Sequence, residues 1–359
     1  MRILLLGGTG AMGVSLLSFL DNDNYEVFVT SRRERISTSK NIQYIMGDAH
    51  NDAFLDTLLE KKWDVIVDFM SYSTLEFEAR YKKMLDSTGQ YVFLSSARVF
   101  SDKDEIISED TPRLLDVCHD KDYLISDEYA LAKARQENKL LETNRNNYTI
   151  VRPYITYNWN RFQLGTLEKE YWLSRVLLNK KVVFWKDIAG HYTTMTYGED
   201  VSKAIYMLLD NKKAYGEAFN ITGEDWLKWS DIISIYTDVI EEIIGVDMEV
   251  YYEENSHNFV KILNNTYQVK YDRLYDRKFD NSKIISACGN ALSFVNTRSG
   301  LREAIKKYKK HDLQIETSLI WEAYCNRLTK EKSGYEFGKK RIIYCLYRYM
   351  PTLADLLLP

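Results

Sequence analysis

A tyrosine and a lysine four residues apart, Tyr129 and Lys133, have the most readily assigned chemistry in this chain. On a helix they lie one turn apart on the same face, so the ammonium group can lower the pKa of the phenol, which at about 10 is too high for a base at neutral pH. Ser96 follows an apolar segment upstream and can hydrogen-bond the same substrate oxygen. We expect these three residues to form a proton-transfer site.

A glycine-rich turn follows the first apolar segment of the chain. Gly7 permits a tight turn, Gly10 lets the backbone approach a pyrophosphate, and Gly13 allows the next helix to pack closely on the strand. Phosphates bind well at such a helix N-terminus because free N–H groups and the helix dipole favour negative charge. The turn therefore predicts a dinucleotide. A nicotinamide beside the proton-transfer site would move hydride to and from a carbinol carbon.

The elements that must position these residues alternate between strand and helix patterns. We predict strands near 2–6, 25–30, 42–46, 64–68, 90–95 and 148–152, and helices near 12–21, 52–60, 75–86 and 121–144. This order predicts an α/β protein with a doubly wound parallel sheet. Beyond residue 153 we predict a short strand near 182–184, a helix from about 199, a strand near 219–223 and an irregular stretch over 267–275.

Ligands of such sheets bind outside the carboxyl ends of the strands. The glycine turn, Asp48, Phe69, Met70 and Ser96 all fall at predicted strand ends. Their clustering supports a binding site at that edge.

Composition narrows the class of protein. The chain has 359 residues, a net charge of −4 and interspersed acidic and basic residues, which argues against nucleic acid as the main partner. Its four cysteines form no Cys-x-x-Cys pair, so we expect reduced thiols. Without a signal-peptide pattern or an apolar run of bilayer length, we expect a soluble, cytoplasmic protein with no membrane span.

The C-terminal segment is the exception to this pattern. Residues 341–350 and 353–358 mix basic and apolar side chains. Such a segment can lie on a membrane surface, or it can pack as a helix on the protein body or on a second subunit; we favour packing.

These motifs together resemble the extended short-chain dehydrogenase/reductase family, the NAD(P)-dependent sugar epimerases, dehydratases and reductases. The landmarks, in the family's order, are the glycine turn, Gly47-Asp48, residues 95–100, Tyr129 with Lys133, Arg152-Pro153, Asp200-Val201 and residues 279–284. The resemblance implies a Rossmann domain at 1–165 that also receives a strand and helix near 195–222. It further implies a smaller mixed substrate-binding region with C-terminal helices at 166–359.

The resemblance also implies a catalytic triad of Ser96, Tyr129 and Lys133, a sugar-nucleotide substrate, a homodimer and a role in polysaccharide biosynthesis. Asp48 would meet the adenine, Lys133 would meet the nicotinamide ribose, and no metal is expected. The expected cofactor-binding residues are Gly7, Thr9, Gly10, Ala11, Met12, Gly13, Ser31, Arg32, Arg33, Asp48, Ala49, Phe69, Met70, Tyr129, Lys133 and Pro153.

The choice between NADP and NAD depends on the end of the second strand. No acidic residue stands there to bind the 2′-hydroxyl of NAD, whereas Arg32 and Arg33 suit a 2′-phosphate. Two solvated loop arginines are the alternative explanation, so the preference for NADP is modest.

The chain departs from the family pattern at its substrate positions. Ala97 and Arg98 stand where 4,6-dehydratases carry an acidic pair, which disfavours dehydration. Ile155 and Thr193 occupy the approximate places of an asparagine and an arginine found in many nucleotide-sugar enzymes. The candidate substrate-binding residues are Arg98, Tyr154, His191 and Tyr192.

Three functions remain open from the sequence. The first is an NAD(P)-dependent epimerase that acts on a nucleotide-activated sugar through a transient keto intermediate. The second is an NADPH-dependent keto-sugar reductase using the same residues. The third is a non-catalytic dinucleotide-sensing or RNA-associated protein, which the intact Ser96, Tyr129 and Lys133 disfavour.

Overall fold

The computed structural model describes residues 1–257, 259–289, 291–311, 318–336, 338–352 and 354. Residues 353 and 355–358 of the predicted C-terminal segment therefore lie outside the described residues. The chain forms two compact units. Unit 1 comprises Met1–Asn160, Thr194–Trp226 and Arg277–Gly300, and unit 2 comprises Arg161–Thr193, Leu227–Asp276 and Leu301–Pro359. Residues 277–300, which the resemblance assigned to the C-terminal region, belong to unit 1, and residues 161–165, which it assigned to the Rossmann domain, belong to unit 2.

The strands are β1 (Arg2–Leu6), β2 (Glu26–Ser31), β3 (Ile42–Met46), β4 (Trp63–Asp68), β5 (Thr88–Leu94), β6 (Tyr148–Pro153), β7 (Thr156–Tyr157), β8 (Gln163–Leu164), β9 (Leu167–Glu168), β10 (Val182–Trp185), β11 (Tyr192–Thr193), β12 (Thr196–Tyr197), β13 (Glu217–Ile221), β14 (Leu227–Lys228) and β15 (Val250–Glu253).

The helices are α1 (Ala11–Leu20), α2 (Asp52–Leu59), α3 (Thr74–Ser87), α4 (Leu114–Val117), α5 (Lys121–Ile125), α6 (Tyr129–Leu141), α7 (Lys169–Leu177), α8 (Lys186–Ala189), α9 (Gly198–Leu208), α10 (Trp229–Ile244), α11 (Phe259–Leu263), α12 (Thr266–Gln268), α13 (Ser282–Cys288), α14 (Thr297–His311), α15 (Leu319–Thr329) and α16 (Lys339–Tyr349). A 3₁₀ turn spans Ala97–Val99, and a π-helical turn spans Val269–Arg273.

A seven-stranded parallel sheet forms the centre of unit 1. Its strand order is β13-β6-β5-β4-β1-β2-β3, and every pairing is parallel. The order reverses beside β1, which pairs with β2 on one side and with β4 on the other. This confirms the predicted doubly wound α/β fold, and it places the glycine turn at the reversal point, where such sheets bind ligands.

Apolar side chains cover both faces of this sheet. Along β1, Ile3 and Leu5 join a cluster that includes α1 and α9, whereas Leu4 and Leu6 join a cluster that includes α2 and α3. Successive strand residues point to opposite faces, so a run of apolar residues is what a strand buried on both sides requires.

Two predictions about local structure are wrong. The helix predicted over 121–144 is broken: α5 ends at Ile125, and α6 begins at Tyr129 because the Glu128 side chain accepts a hydrogen bond from the Ala130 N–H at 2.8 Å. The stretch 267–275, predicted to be irregular, is helical over 266–273. There the buried Arg273 side chain donates to the Gly165 carbonyl at 2.8 Å, a contact between residues distant in the sequence.

Unit 2 combines helices with short strand pairs. Strands β10 and β15 pair in parallel, and β11 and β14 pair antiparallel. The buried Arg175 of α7 forms ion pairs with Glu322 of α15, at 2.5 Å, and with Glu331, at 2.7 Å. Within the described ranges, no helix has the combined length and apolar character that crossing a bilayer requires.

Gly13→Ala should destabilise the protein, because a Cβ at this position would overlap the carbonyl oxygen of Gly8 where α1 packs on the turn. We expect a loss of about 1–3 kcal/mol in the free energy of unfolding, measured by urea denaturation. Gly10→Ala is the matched control, since a Cβ at Gly10 meets no atom within 4 Å. Equal losses in the two variants would contradict close packing as the reason for Gly13.

Candidate active site

The glycine turn forms one wall of a cavity of about 320 Å³ in unit 1. Gly7 has φ +69°, and a side chain there would also meet the sulfur of Met70 at 2.7 Å, so only glycine fits without rearrangement. The turn leads directly into the N-terminus of α1. The cavity therefore combines close backbone access with a helix end that favours phosphate.

Most of the predicted cofactor-binding residues line this cavity. They are Gly7, Thr9, Gly10, Ser31, Arg32, Asp48, Ala49, Phe69 and Met70. Ala11, Met12, Gly13, Arg33, Tyr129, Lys133 and Pro153 are not among the lining residues. The lining also includes Thr30, Gly47, His50 and Ser71, which sequence reasoning did not assign to the cofactor, although each adjoins a residue at a predicted strand end.

The two arginines after β2 differ in their surroundings. Both are exposed, but Arg32 lines the cavity and Arg33 lies outside the lining. The Arg33 backbone is held by Ser31, whose hydroxyl donates to the Arg33 carbonyl at 2.8 Å. Only Arg32 is therefore placed to meet a group bound in the cavity.

Ser96 and Tyr129 lie beside a common neighbour, Arg98. Ser96 follows β5 and begins the 3₁₀ turn, where its hydroxyl oxygen accepts a hydrogen bond from the Arg98 N–H at 3.2 Å. The Arg98 guanidinium lies 5.2 Å from the centre of the Tyr129 ring and forms a 2.5 Å ion pair with Glu128. The fold thus places the Arg98 guanidinium, which the sequence had placed only as a substrate contact, against the ring of Tyr129.

Lys133 lies one turn along α6 from Tyr129 and is 2% exposed, whereas Tyr129 is 38% exposed. Its ammonium donates to the Leu94 carbonyl at 2.7 Å and to the Met70 carbonyl at 3.2 Å. Burial lowers the pKa of Lys133 to about 8, although the charges of Asp68 and Glu137 act in the opposite direction. Because Met70 lines the cavity, the lysine contacts the cavity wall directly.

A buried ion-pair network, which sequence reasoning missed, continues along the same face of α6. The Glu137 carboxylate accepts hydrogen bonds from Arg152 at 2.8 and 2.9 Å, from Ser95 at 2.5 Å and from Arg113 at 3.2 Å. Burial raises the pKa of Glu137, but Arg152, Ser95 and Arg113 together bring it below its ordinary value. The helix position of Glu137, four residues after Lys133, was a usable signal because both side chains must face the sheet.

The other candidate substrate residues lie in two different settings. Tyr154, in unit 1, is buried, and its ring lies 4.9 Å from that of Phe279. His191 and Tyr192 belong to unit 2, where the Asp276 carboxylate lies 3.0 Å from Nδ1 of His191 and accepts a 2.9 Å hydrogen bond from the Tyr192 N–H. Nothing in these contacts assigns a substrate to the three residues.

Ile155 has an unusual backbone conformation, with φ +31°. A β-branched residue adopts a positive φ only at a cost of about 1–3 kcal/mol, whereas asparagine tolerates such angles. The asparagine that many nucleotide-sugar enzymes carry at about this place would therefore suit the backbone better than isoleucine does. Thr193, the other departure, is buried at the end of β11.

Among the described residues, no group of three or more histidine, cysteine, aspartate or glutamate side chains is arranged to hold a metal ion. The four cysteines are free thiols.

Comparison with solved structures finds the same fold in other proteins. UDP-glucuronic acid 4-epimerase from Bacillus cereus, solved with NAD, has 20% sequence identity and a TM-score of 0.65, with 87% of this chain and 97% of that chain covered. dTDP-glucose 4,6-dehydratase from Bacillus anthracis, also solved with NAD, has 18% identity, a TM-score of 0.65 and the same coverage. At these identities the likeness establishes a shared fold.

Sequence comparison finds a relative whose name describes stem-loop binding and not sugar chemistry. The chloroplast stem-loop binding protein of 41 kDa b from Arabidopsis thaliana is 23% identical over 247 residues, which are 64% of this chain. The matched region spans only 61% of that relative's length. The sequence model of the NAD dependent epimerase/dehydratase family matches residues 3–222 of this chain. This range includes the glycine turn, Ser96, Tyr129 and Lys133. The chain belongs to the NAD dependent epimerase/dehydratase family.

Proposed function

We propose that this protein is an NAD(P)-dependent epimerase that acts on a nucleotide-activated sugar through a transient keto intermediate. The observation that carries the proposal is the contact of the buried Lys133, one helical turn from Tyr129, with the wall of the glycine-turn cavity. Lys133 connects the helix that carries Tyr129 to the cavity, because its ammonium donates a hydrogen bond to the carbonyl of the cavity residue Met70. Family membership and the sugar-nucleotide epimerases among the structural neighbours support the same reaction class.

The cavity suits a nicotinamide dinucleotide. The backbone at Gly10 has open space where a Cβ would stand, so a phosphate can approach the turn and the N-terminus of α1. Asp48 and Arg32 line the cavity and would hold the adenosine half. When bound, the cofactor accepts a hydride from a sugar carbon and returns it.

Tyr129 would take the proton from the sugar hydroxyl as the carbon–oxygen double bond forms. Two cations lie near this phenol, Arg98 over its ring and Lys133 one helical turn away. A positive charge stabilises the phenolate and so favours proton transfer at neutral pH. Ser96 would hydrogen-bond the same sugar oxygen.

Dehydration is disfavoured by the residues after Ser96. The 3₁₀ turn carries Ala97 and Arg98 in place of an acidic pair. The adjacent carboxylate, Glu128, already accepts hydrogen bonds from Arg98, Tyr123 and the Ala130 N–H. We therefore expect epimerisation without elimination of water.

The second candidate is a keto-sugar reductase, which the cavity position of Arg32 favours because a reductase uses NADPH. The two functions differ in cofactor turnover. An epimerase retains its dinucleotide through purification, whereas a reductase consumes added NADPH with a keto sugar.

A third candidate, of another class, follows from the relative whose name describes stem-loop binding. A non-catalytic RNA-associated protein would bind stem-loop RNA and show no sugar turnover. Electrophoretic mobility shift with a stem-loop RNA, beside the turnover assays, would separate this function from the two enzymatic ones. Homodimerisation and a cytoplasmic location remain expectations.

Tyr129→Phe should reduce epimerase turnover about 100-fold or more, because it removes the proton-transfer hydroxyl while keeping the ring. Turnover of UDP-sugars would be measured together with dinucleotide affinity, which should stay unchanged. Tyr81→Phe, which removes a hydroxyl from a buried ring stacked on Phe77, is the matched control. Turnover within a few-fold of the parent for Tyr129→Phe would refute the catalytic assignment.

Activity should fall as the pH rises through about 8, because Lys133, whose pKa is lowered to about 8, then loses the charge that stabilises the phenolate. The measurement is kcat/KM from about pH 6 to about pH 10. In Lys133→Arg the descending limb should move to higher pH, since a guanidinium stays charged there. A parent profile that stays flat through this range would show that the charge of Lys133 is not required.

Arg32→Ala should weaken NADPH binding about tenfold while changing NADH binding little, because a 2′-phosphate loses a charge-assisted hydrogen bond. Dissociation constants would be measured from nicotinamide fluorescence. Arg33→Ala is the matched control, since Arg33 lies outside the cavity lining. Equal weakening of both cofactors by Arg32→Ala would remove the preference for NADP.

A further inference from the structure

The C-terminal helix α16 has one face bound to the protein. Tyr344 is buried, and its hydroxyl accepts hydrogen bonds from Asn326 of α15 at 3.0 Å and from Arg348 at 2.6 Å. The Tyr344 ring also lies 5.5 Å from that of Tyr335. Packing of this segment on the protein body, which the sequence favoured, is thus confirmed for this face of the helix.

The opposite face of α16, continued by Met350, is an apolar stripe that is exposed at three positions and half-buried at Cys345 and Leu346. Its members are Ile342, Cys345, Leu346, Tyr349 and Met350, which follow the spacing i, i+3, i+4, i+7 and i+8. With Arg341 they line an open groove of about 280 Å³. Ile342 is 55% exposed, Tyr349 is 68% exposed and Met350 is 49% exposed. A continuous apolar stripe at helical spacing is typical of a surface that docks onto another body.

Positive charge lies at the start of the stripe. Lys339, Lys340 and Arg341 form the first turn of α16, and the sequence has no acidic residue from 337 to 354. The remaining cation of the helix, Arg348, bonds the Tyr344 hydroxyl on the packed face. Cations in a first turn lie at the end of the helix where the dipole disfavours them. The stability of α16 therefore does not explain their positions.

We propose that this face of α16 docks on an anionic lipid surface. The helix would lie in the plane of the interface, with the stripe among the acyl chains and the basic residues at the headgroups. A second copy of the chain fits less well: a symmetric contact through this face would bring together two helices that each carry three cations in the first turn and no acidic residue. The proposal is independent of the reaction at Tyr129, which lies in unit 1.

The experiment is flotation of the full chain with lipid vesicles. Vesicles of phosphatidylcholine with about 30 mol % phosphatidylglycerol should bind the protein at least about tenfold more tightly than phosphatidylcholine alone, and binding should weaken as salt screens the headgroups. Failure of the parent protein to bind the anionic vesicles would overturn the proposal.

Two sets of substitutions separate the stripe from its charges. Ile342→Glu with Tyr349→Glu should abolish flotation, and the triple replacement Lys339→Gln, Lys340→Gln and Arg341→Gln should weaken it about tenfold or more. The matched control removes three exposed charges of unit 1 by Lys40→Gln, Lys103→Gln and Lys212→Gln, and it should float like the parent. Thermal unfolding of each variant, unchanged from the parent, shows that the fold is intact.

Sedimentation velocity measures whether the stripe instead joins two copies of the chain. A dimer that Ile342→Glu dissociates, without lipid binding by the parent, would assign the stripe to a second copy and overturn the proposal. Equal loss of flotation in the unit 1 control would show that net charge alone drives binding, and it would overturn the assignment to α16.

Discussion

The ion pair between Glu137 and Arg152 is the constraint on which the candidate site depends. Both side chains are buried, and the carboxylate also accepts hydrogen bonds from Ser95 and Arg113. Removing one partner from such a pair leaves an uncompensated buried charge, which is strongly destabilising. Because Glu137 lies on α6 and Arg152 on β6, the pair fixes the helix against the sheet, and Lys133 is held one turn away.

The same constraint explains how a lysine ammonium remains inside the protein. Lys133 lies close enough to Asp68 and Glu137 for both charges to favour its protonated form, and two backbone carbonyls accept its hydrogen bonds. Burial is still the larger effect on its pKa. An ammonium with few competing waters interacts more strongly with a nearby phenol than an exposed one would. Burial therefore strengthens the attraction between the Lys133 ammonium and a phenolate, and it also lets Lys133 lose its proton more easily as the pH rises.

Arg98 places a second positive charge beside the tyrosine of this site. A fold of this kind hosts many reactions, and the residues around the reacting atoms select among them. Here a guanidinium, paired with Glu128, occupies the position where dehydratases have an acid. Its charge lies over the Tyr129 ring, so it favours loss of the phenolic proton and cannot itself protonate a leaving hydroxyl.

The sequence by itself determined the α/β class with its parallel, doubly wound sheet, the glycine turn and the one-turn spacing of Tyr129 and Lys133 on a helix, because these follow from short-range spacing and periodicity. Only the tertiary structure decided the break before Tyr129 and the helical form of residues 266–273. It also decided the burial of Glu137 with Arg152 and the position of Arg32 in the cavity lining, from which Arg33 is absent. It also left one face of α16 exposed. The break before Tyr129 comes from a local hydrogen bond of Glu128, but the other features depend on contacts between residues distant in the chain, which a local pattern does not specify.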